Sequence, residues 1–344
     1  MYLQSLSSAF PSNETTQQEC LDVLRSSGSL DTLRPRSIEI LEKILTGSSG
    51  IETRRFCPDD LASVFRSDAG SLHQLFEEHA PRLAAQALSA ACEQAKVKPQ
   101  EIDALLICTC TGYLCPGLSS YVSERLGLRN NILLQDLLGL GCGAALPMLE
   151  TARGILAASP QALVATIAVE ISSAAFYIND DPGVLISLCL FGDGAAAAIW
   201  KAESQGGQLR FQNFRTIHQP EHREKIRFVN AGGRLKNQLH REVPELAAKA
   251  VSQLYQMSSN APRKIIAHTG GRDVIDAIER AIPGQKLSAT REILRQYGNI
   301  SSPSVLAALE HSLATSPHAE SLWLTAFGAG FAAHSGELVA SQDV

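Results

Sequence analysis

The chain has 344 residues, 45% hydrophobic and 19% charged, with a formal net charge of −5 and a pI near 6.0. This composition supports a large packed core and excludes a disordered chain or a basic nucleic-acid-binding protein. No leader with a basic and then an apolar region opens the sequence, and no apolar run approaches the length of about 18 residues needed for a membrane span. We therefore predict a cytoplasmic protein with eight free cysteines. Cys108, Cys110 and Cys115 cluster without the spacing of a zinc site, so no metal is predicted.

The first sixty or so residues predict helices and loops. Residues 15–24 and 36–45 have the apolar spacing of amphipathic helices, and residues 72–95 predict a longer helix of the same kind. Two short, apolar, β-rich runs follow at residues 102–110 and 162–170, separated by helical patterns. Such runs are typical of strands buried on both faces of a largely parallel sheet, so the chain is predicted to be an α/β protein.

A short motif occurs twice. FGDGAAAA at residues 191–198 and FGAGFAAH at residues 327–334 are identical at five of eight positions, and each follows an apolar run that resembles a strand. We interpret each copy as a hairpin that closes one α/β unit. The chain is thus predicted to consist of two pseudo-duplicated halves, residues 1–204 and 205–344, joined within residues 201–210.

Cys142 stands between Gly141 and Gly143, after the strand-like residues 131–141 and before an apolar helix with Pro147 in its first turn. The flanking glycines permit a tight turn and the close approach of a substrate. A thiol at a helix N-terminus has a lowered pKa, and the thiolate is the nucleophilic form. Cys142 is therefore a candidate nucleophile, although a buried cysteine taken alone is more often a small hydrophobic residue.

Two further segments supply partners for a nucleophile. The strand-like residues 264–267 end at His268, where α/β proteins place ligand sites, and Asp273 begins the next helix. Asn299 lies in a glycine-containing loop ahead of a helix that begins near Ser302. An imidazole and an amide can both donate hydrogen bonds to a developing oxyanion. The alternatives are a histidine bonded to a backbone carbonyl and an asparagine in a left-handed turn.

Together these motifs resemble the type III polyketide synthases, the chalcone and stilbene synthase relatives within the thiolase superfamily. The resemblance covers roughly residues 85–335, and its His-Thr-Gly-Gly and Tyr-Gly-Asn-x-Ser-Ser forms favour this family over ketoacyl synthase III. It implies a thiolase-like five-layer αβαβα fold and a homodimer. The matching segments are GLGCGAALPMLETA, VEISSAAF, FGDGAAAAIW, AHTGG, YGNISSPSV and AFGAGF.

The resemblance implies that Cys142 accepts an acyl starter and that His268 and Asn299 stabilise the thioester oxygen and the enolate formed from malonyl-CoA. Iterative decarboxylative condensation would then give a pyrone, a resorcinol or a related phenol, with CoA thioesters as substrates and no cofactor. Two alternatives remain open: a single-condensation enzyme like ketoacyl synthase III, and a catalytically idle partner subunit. A papain-like hydrolase is disfavoured because its cysteine lies near the mature N-terminus.

The resemblance also implies a set of substrate-binding residues. Phe191 matches a gating phenylalanine of the family, whereas Asn237 stands where a second one is expected, which predicts a wider or more polar mouth. Asp193, beside the first gate, is interpreted as structural, satisfying backbone donors of its turn. Cys110 and Ala175 stand at cavity-lining positions where the plant enzymes usually carry threonine, and Ser301 is a further predicted substrate-binding residue.

At two places the sequence differs from the family's pattern in segments that contact the partner subunit or the CoA substrate. Cys115 ends the loop that in the family reaches the partner subunit, and a cis bond to Pro116 is expected. The family's basic residues that hold the CoA phosphates are largely absent, and the nearby substitutes are Lys43, Arg54 and Arg55. The starter is thus expected from either an acyl-CoA or an acyl-carrier protein.

Overall fold

A computed structural model describes residues 1–204, 206–258, 264–316 and 321–340. Its strands are β1 (Tyr2–Ala9), β2 (Asn13–Thr16), β3 (Thr53–Phe56), β4 (Ala104–Cys108), β5 (Leu133–Leu137), β6 (Val164–Glu170), β7 (Gly194–Lys201), β8 (Leu209–His218), β9 (Ile226–Ala231), β10 (Arg234–Leu239), β11 (Lys264–Ala267), β12 (Ser321–Gly328) and β13 (Ala332–Ala340). Its α-helices are α1 (Gln17–Ser26), α2 (Pro35–Leu45), α3 (Leu61–Val64), α4 (Ala69–Ala95), α5 (Leu118–Leu126), α6 (Ala145–Ala158), α7 (Pro182–Leu190), α8 (Val243–Gln256), α9 (Arg272–Ala281), α10 (Ser288–Tyr297) and α11 (Ser304–Thr315).

Nine strands form one sheet in the order β11-β12-β13-β8-β1-β7-β6-β4-β5. The pairs β4–β5, β4–β6 and β11–β12 are parallel, whereas the other neighbours are antiparallel. The prediction of a largely parallel sheet is therefore wrong. A tight turn joins β12 to β13, and such a short connection makes only an antiparallel pair.

The strand order repeats within the sheet. β1-β7-β6-β4 and β8-β13-β12-β11 have the same sequence of two antiparallel pairs and one parallel pair. The two copies of the repeated motif run into the equivalent strands β7 and β13, but only the second is a hairpin. The apolar run before Phe191 forms helix α7 instead of the expected strand. The boundary between residues 204 and 205 stays a prediction, and Gln205 lies outside the described residues.

The N-terminal region differs from its prediction. β1 lies near the middle of the sheet, and β2 pairs with β3, although this region was expected to contain only helices and loops. The sequence of β1 lacks apolar alternation because two of its buried positions are serines, Ser5 and Ser7. Ser5 Oγ donates to the backbone oxygen of Ala91 at 2.6 Å. The three predicted helices are confirmed as α1, α2 and α4.

The hydrophobic core has three main parts, which define the layers. Helices α4 and α5 cover the outer face of the β1-to-β5 half of the sheet, where Leu88 is buried. Helices α6 and α11 lie between the two sheet halves, with Leu149 and Leu309 in one shared cluster. Helices α8 and α9 cover the outer face of the other half, where Ile275 is buried. The predicted five-layer αβαβα arrangement is confirmed. Within the residues that the structure covers, no helix has the length and apolar character needed to cross a membrane.

Candidate active site

Cys142 lies on a single 3-10 turn, Gly141–Gly143, between β5 and helix α6. The β12–β13 turn of the other sheet half closes against it. A Cβ atom on Gly141, whose φ is +60°, would lie 2.8 Å from the backbone nitrogen of Ala329. A Cβ atom on Gly328 would lie 2.9 Å from the backbone nitrogen of Cys142. Glycine is required at both positions because the two turns touch through their backbones.

The Cys142 thiol has polar neighbours on one side. Ser301 Oγ donates to Cys142 Sγ at 3.1 Å, and Cys110 Sγ lies 3.3 Å from the same hydroxyl. Hydrogen bonding from Cys110 lowers the pKa of Cys142 well below its ordinary value, and His268 and Ser301 act in the same direction against the effect of burial. The same hydrogen bond raises the pKa of Cys110. Of the two thiols, Cys142 is thus the one whose environment favours the thiolate.

His268 directly follows β11 and is 1% exposed. Its backbone N–H donates to the Thr325 carbonyl at 2.9 Å, and its ring packs edge-on against Phe327 with centroids 5.1 Å apart. Within the described part of the chain, its Nδ1 is buried without a hydrogen-bond partner. The ring is thus not held by a backbone carbonyl at Nδ1, and Nε2 remains the nitrogen available to the thiol and to a substrate oxygen.

Asn299 has its amide oxygen engaged and its amide N–H groups available. Oδ1 accepts from the backbone nitrogen of Ser301 at 2.8 Å and from Thr269 Oγ1 at 3.3 Å. The backbone of Asn299 bonds to Leu190 and Gly192 at 2.8 and 3.1 Å. These contacts fix the side chain, and among the described residues Nδ2 has no acceptor, so it can donate to an oxyanion. Besides Gly298, the residue of this loop with a positive φ is Ser301, at 58°, and not the asparagine.

Glu170, at the end of β6, is a site residue that we did not anticipate from the sequence. Its carboxylate is fully buried, and burial raises its pKa while the surrounding hydrogen bonds lower it. The network joins the end of β4 to the loop that carries Asn299, so it positions Ser301 beside Cys142. A charged residue closing an otherwise apolar strand was the signal in the sequence. The donors to Glu170 are the hydroxyls of Thr109, Thr111 and Ser302 and the backbone nitrogens of Cys110 and Thr111, and the Ser301 hydroxyl lies 3.3 Å from the carboxyl group.

The three predicted catalytic residues line one cavity of about 770 Å³. Most of its wall is apolar, with side chains from α2, α7, β9, β10, α8 and α9. Of the other predicted residues, Ala175 and Ser301 line a small adjoining pocket of about 20 Å³ instead of the main cavity. Those that line the main cavity are Cys110, Phe191, Asn237 and Lys43.

Two of the basic residues expected to hold phosphates do not face the cavity. Arg54 is 2% exposed, and its guanidinium donates to the carbonyl oxygens of Leu188 and Phe191 at 2.8 Å each. Arg55 pairs with Glu14 on the neighbouring strand β2. β3 turns the Arg54 side chain to interior partners and the Arg55 side chain to a cross-strand partner, so neither residue lines the cavity.

Other cations line the cavity in their place. Besides the exposed Lys43 of α2, the arginines Arg227, Arg241 and Arg272 contribute to its wall. Arg272 is the first residue of α9 and donates to the backbone oxygen of Ser48 and, at 3.1 Å, to its hydroxyl. The contact joins the loop after α2 to the N-terminus of α9. Several lining residues in this region are exposed, so the mouth of the cavity lies here.

Asn237 lies on β10, and its Nδ2 donates to Ser187 Oγ of α7 at 3.0 Å. Its direct partner on the neighbouring strand β9 is Phe228, which also lines the cavity. The polar residue at the predicted gate is thus paired with an aromatic residue that sequence reasoning missed. Only the strand register shows this pairing.

The loop with Cys115 has the predicted cis peptide bond to Pro116. Cys115 is exposed, and the nearby Tyr113 is 64% exposed. The approach of this loop to a partner subunit stays a prediction.

Asp193 has the structural environment expected of it. It is fully buried and accepts from the backbone nitrogen and hydroxyl of Ser173 and from the backbone nitrogen of Cys57. Burial raises its pKa to about 6. Asp193 therefore joins the loop before β7 to two neighbouring segments and does not face the cavity.

Comparison with known proteins identifies the family. The model of the FAE1/Type III polyketide synthase-like protein family matches residues 2–259, and that of the chalcone and stilbene synthases, C-terminal domain, matches residues 220–331. A 3,5-dihydroxyphenylacetyl-CoA synthase of Streptomyces toyocaensis is 29% identical over 87% of this chain and 79% of its own length. The 3-ketoacyl-CoA synthase 6 of Arabidopsis thaliana is 26% identical over 88% of this chain and 69% of its own length.

The fold has a close counterpart among solved structures. The 1,3,6,8-tetrahydroxynaphthalene synthase of Streptomyces coelicolor A3(2), a bacterial type III polyketide synthase, superposes over the full length of both chains with a TM-score of 0.87 at 22% identity. Since a family model matches more than half of the sequence, the chain belongs to the FAE1/type III polyketide synthase-like family of condensing acyltransferases, as its cysteine, histidine and asparagine motifs predicted.

Proposed function

We propose that the protein is a type III polyketide synthase that loads an acyl starter on Cys142 and extends it by iterative decarboxylative condensation with malonyl-CoA. The observation that carries the proposal is the convergence of the Cys142 thiol, whose pKa is lowered, with the His268 imidazole and the Asn299 amide on one largely apolar cavity. The two elements that carry the donors come from the sheet half opposite the cysteine, so the site depends on the packing of both halves.

The loading step follows from the thiolate. Cys142 attacks the starter thioester carbonyl, the negative charge develops on the carbonyl oxygen, and the carrier thiolate leaves as the carbonyl reforms. Nε2 of His268 and Nδ2 of Asn299 donate to that oxygen. Preorganised donors of this kind stabilise the transition state more than the ground state.

The same donors serve the extension step. Malonyl-CoA loses carbon dioxide, and the electron pair of the broken bond forms an enolate whose oxygen accepts from His268 and Asn299. The enolate carbon then attacks the acyl group on Cys142, which releases the Cys142 thiolate and leaves a β-keto thioester on CoA. Transfer of this chain back to Cys142 expels CoA and permits another cycle.

The cavity mouth supports CoA as the carrier. Lys43 and Arg241 place positive charge there, Arg272 adds a guanidinium that also pairs with Asp273, and the N-terminus of α9 adds its helix dipole. We propose that these groups bind the CoA phosphates in place of the buried Arg54 and the paired Arg55. We further propose that the protein is a homodimer. We also propose a cytoplasmic location, which the eight free cysteines support.

The test is product analysis with carbon-14 malonyl-CoA and a panel of acyl-CoA starters, with Cys142→Ala as the control. Labelled triketides or tetraketides that cyclise to pyrones, resorcinols or related phenols are expected from the wild type alone. A diketide as the only product would indicate a single-condensation enzyme, the activity class named for the Arabidopsis relative. Turnover only with acyl-carrier proteins would move the starter assignment to that carrier, and no turnover with either would favour an idle subunit.

A further inference from the structure

The C-terminus of helix α7 is capped by groups from distant segments of the chain. An α-helix leaves its last four carbonyl groups without partners inside the helix. The cap residue Phe191 donates to the first of them, the Ser187 carbonyl, at 3.0 Å. Each of the other three accepts from a different segment: Leu188 from Arg54 Nη1 at 2.8 Å, Cys189 from Gln17 Nε2 at 3.1 Å, and Leu190 from the backbone nitrogen of Asn299 at 2.8 Å.

Asn299 thus enters the site directly from this helix end. Its backbone carbonyl also accepts from Gly192 at 3.1 Å, and Phe191 and Asn299 form a parallel bridge. The preceding residue, Gly298, has a φ of 69°, and a Cβ atom there would lie 2.6 Å from the Leu190 carbonyl oxygen. Because the backbone of Asn299 is held against the carbonyl end of α7, a shift of that end moves the amide in the cavity.

Arg54, on β3, is the charged group at this helix end. It is 2% exposed, and among the described residues its guanidinium has no carboxylate partner. Nη1 donates to Leu188 and to Phe191, on either side of the carbonyl that Asn299 uses. Nε donates to Gln17 Oε1 at 2.9 Å. A buried charge is costly without a compensating group, and the negative end of the α7 dipole supplies one here.

The stem of the same side chain packs against the segment that leads to Asn299. A Cβ atom on Gly298 would lie 2.9 Å from Arg54 Cγ and 3.0 Å from its Cδ. The guanidinium carbon lies 5.0 Å from the centroid of the Phe56 ring, which supports it from the same strand. Arg54 therefore contacts both parts of the junction, α7 through its donors and Gly298 through its methylene groups.

We propose that Arg54 is the positioning residue of Asn299: by holding the carbonyl end of α7, it sets where the Asn299 amide stands in the cavity. Arg54 does not line the cavity, so it acts through Asn299 and not on the substrate. The consequence for catalysis rests on the proposed function, in which Asn299 donates to the enolate oxygen. The hold on the helix end does not.

The first experiment uses hydrogen exchange in the full-length protein and does not depend on activity. It compares Arg54→Lys with Arg55→Lys, because Arg55 is the next residue of β3 and pairs with Glu14 instead of bonding to α7. A lysine ammonium lacks the planar fork with which two nitrogens of Arg54 reach two carbonyls and Gln17 at once. The two variants therefore make the same chemical change in two different surroundings.

In Arg54→Lys, amides within residues 187–192 and 298–301 should exchange about tenfold faster than in the wild type, because charge-assisted hydrogen bonds that hold this local unit are lost. The peptide that contains Cys142 is the internal reference and should not change. Arg55→Lys should leave all three peptides unchanged. Equal exchange in the two variants, or an equal rise in all peptides of Arg54→Lys, would overturn the proposal.

The second experiment follows decarboxylation of malonyl-CoA without a starter, as release of labelled carbon dioxide. For Arg54→Lys we expect kcat to fall about 10- to 100-fold, because a misplacement of about 1 Å costs up to about 10² in rate, while KM stays within about twofold. The rate at which iodoacetamide alkylates Cys142 should not change. A parallel fall of kcat and of the alkylation rate would assign Arg54 to general stability and overturn the proposal.

A double variant tests whether Arg54 acts through Asn299. Asn299→Asp has no amide donor that could be misplaced. Added to it, Arg54→Lys should lower the decarboxylation rate by less than about twofold, since coupled substitutions are not additive. The full loss seen in the wild-type background would show that Arg54 acts independently of Asn299 and would overturn the proposal.

The outcomes separate this proposal from the proposed function. Faster local exchange in Arg54→Lys, with no decarboxylation by the wild type, would support the hold on the helix end and refute the proposed function. Unchanged exchange in an active enzyme would refute the positioning role alone. If Arg54→Lys does not fold, Arg54→Gln, which keeps an amide donor and removes the charge, replaces it in each comparison.

Discussion

Ser301 Oγ lies 3.1 Å from Cys142 Sγ and links the nucleophile to the buried carboxylate of Glu170, 3.3 Å away on its other side. One hydroxyl thus contacts both the thiol group of Cys142 and the carboxyl group beneath it. Because a hydroxyl has a single proton, donation to the sulfur requires Glu170 to be satisfied by other groups, and the hydroxyls and backbone nitrogens around it meet that need.

Ser301→Ala removes a donor to the Cys142 thiolate. A hydrogen bond to a charged group contributes about 1.5–3 kcal/mol, so we expect the apparent pKa of Cys142 to rise by roughly one unit or more. The pH dependence of inactivation by iodoacetamide measures this pKa. Ser302→Ala is the matched control, since that hydroxyl bonds Glu170 but not the thiol. Equal pKa values in the two variants would refute the role of Ser301.

Cys110→Ala should raise the apparent pKa of Cys142 more than Ser301→Ala, because hydrogen bonding from Cys110 contributes most to lowering it. The wild-type profile is expected to have its inflection well below that of a free thiol, about 8.5. In Cys110→Ser a hydroxyl donor remains and most of the shift should be preserved. If Cys110→Ala leaves the inflection where the wild type has it, Cys110 is not the donor.

Asn299→Asp tests the oxyanion donor without removing the acceptor that holds the loop. A carboxylate oxygen can still accept from the backbone nitrogen of Ser301, whereas the amide N–H groups are lost. Loss of one such donor costs about 10²–10³ in rate. We therefore expect decarboxylation of malonyl-CoA, followed as release of labelled carbon dioxide, to fall by that factor while the melting temperature changes little. A small loss of rate would assign Asn299 to the loop alone.

The raised pKa of Asp193 predicts that the stability of the protein depends on pH. Its pKa is raised to about 6 from an ordinary value of 3.8, so the folded state binds a proton that the unfolded state has lost between these two pH values. The stabilisation that this group contributes is fully present below its pKa in the unfolded state. It is lost as the pH rises through its pKa in the folded state. Between pH 4.5 and 6 the wild type should lose up to about 1.4 kcal/mol per pH unit relative to Asp193→Asn. Urea denaturation of both proteins across this range measures the difference, and parallel curves would show that Asp193 is charged throughout.

The catalytic residues were predictable from the sequence because each of them requires particular residue types at neighbouring positions. Cys142 needs glycine on both sides for its turn to meet Gly328, and His268 needs a strand before it and glycines after it. These requirements are met within a few neighbouring positions. The layered fold followed from the same motifs through family resemblance, whereas the direction of β7 and β13 depended on connections that local patterns do not define.

The residues that surround the reaction were harder to predict because tertiary packing determines where they point. Arg54 and Arg55 alternate on one short strand, and only the fold shows that the first is buried against α7 and the second faces Glu14. Phe228 acquires its place through the register of the β9–β10 pair, nine residues from the predicted gate at Asn237. Arg272 reaches the cavity mouth only because α9 begins beside Ser48.

Acyl loading of Cys142 tests the central claim most directly. The intact protein and its Cys142→Ala variant are incubated with single acyl-CoA starters. Their masses are then measured by mass spectrometry before malonyl-CoA is added. The account predicts one acyl group on the wild type, mapped to the peptide that contains Cys142, no adduct on the variant, and loss of the adduct when malonyl-CoA follows. An adduct that persists in Cys142→Ala, or that malonyl-CoA does not discharge, would contradict the claim that Cys142 is the nucleophile of a condensing enzyme.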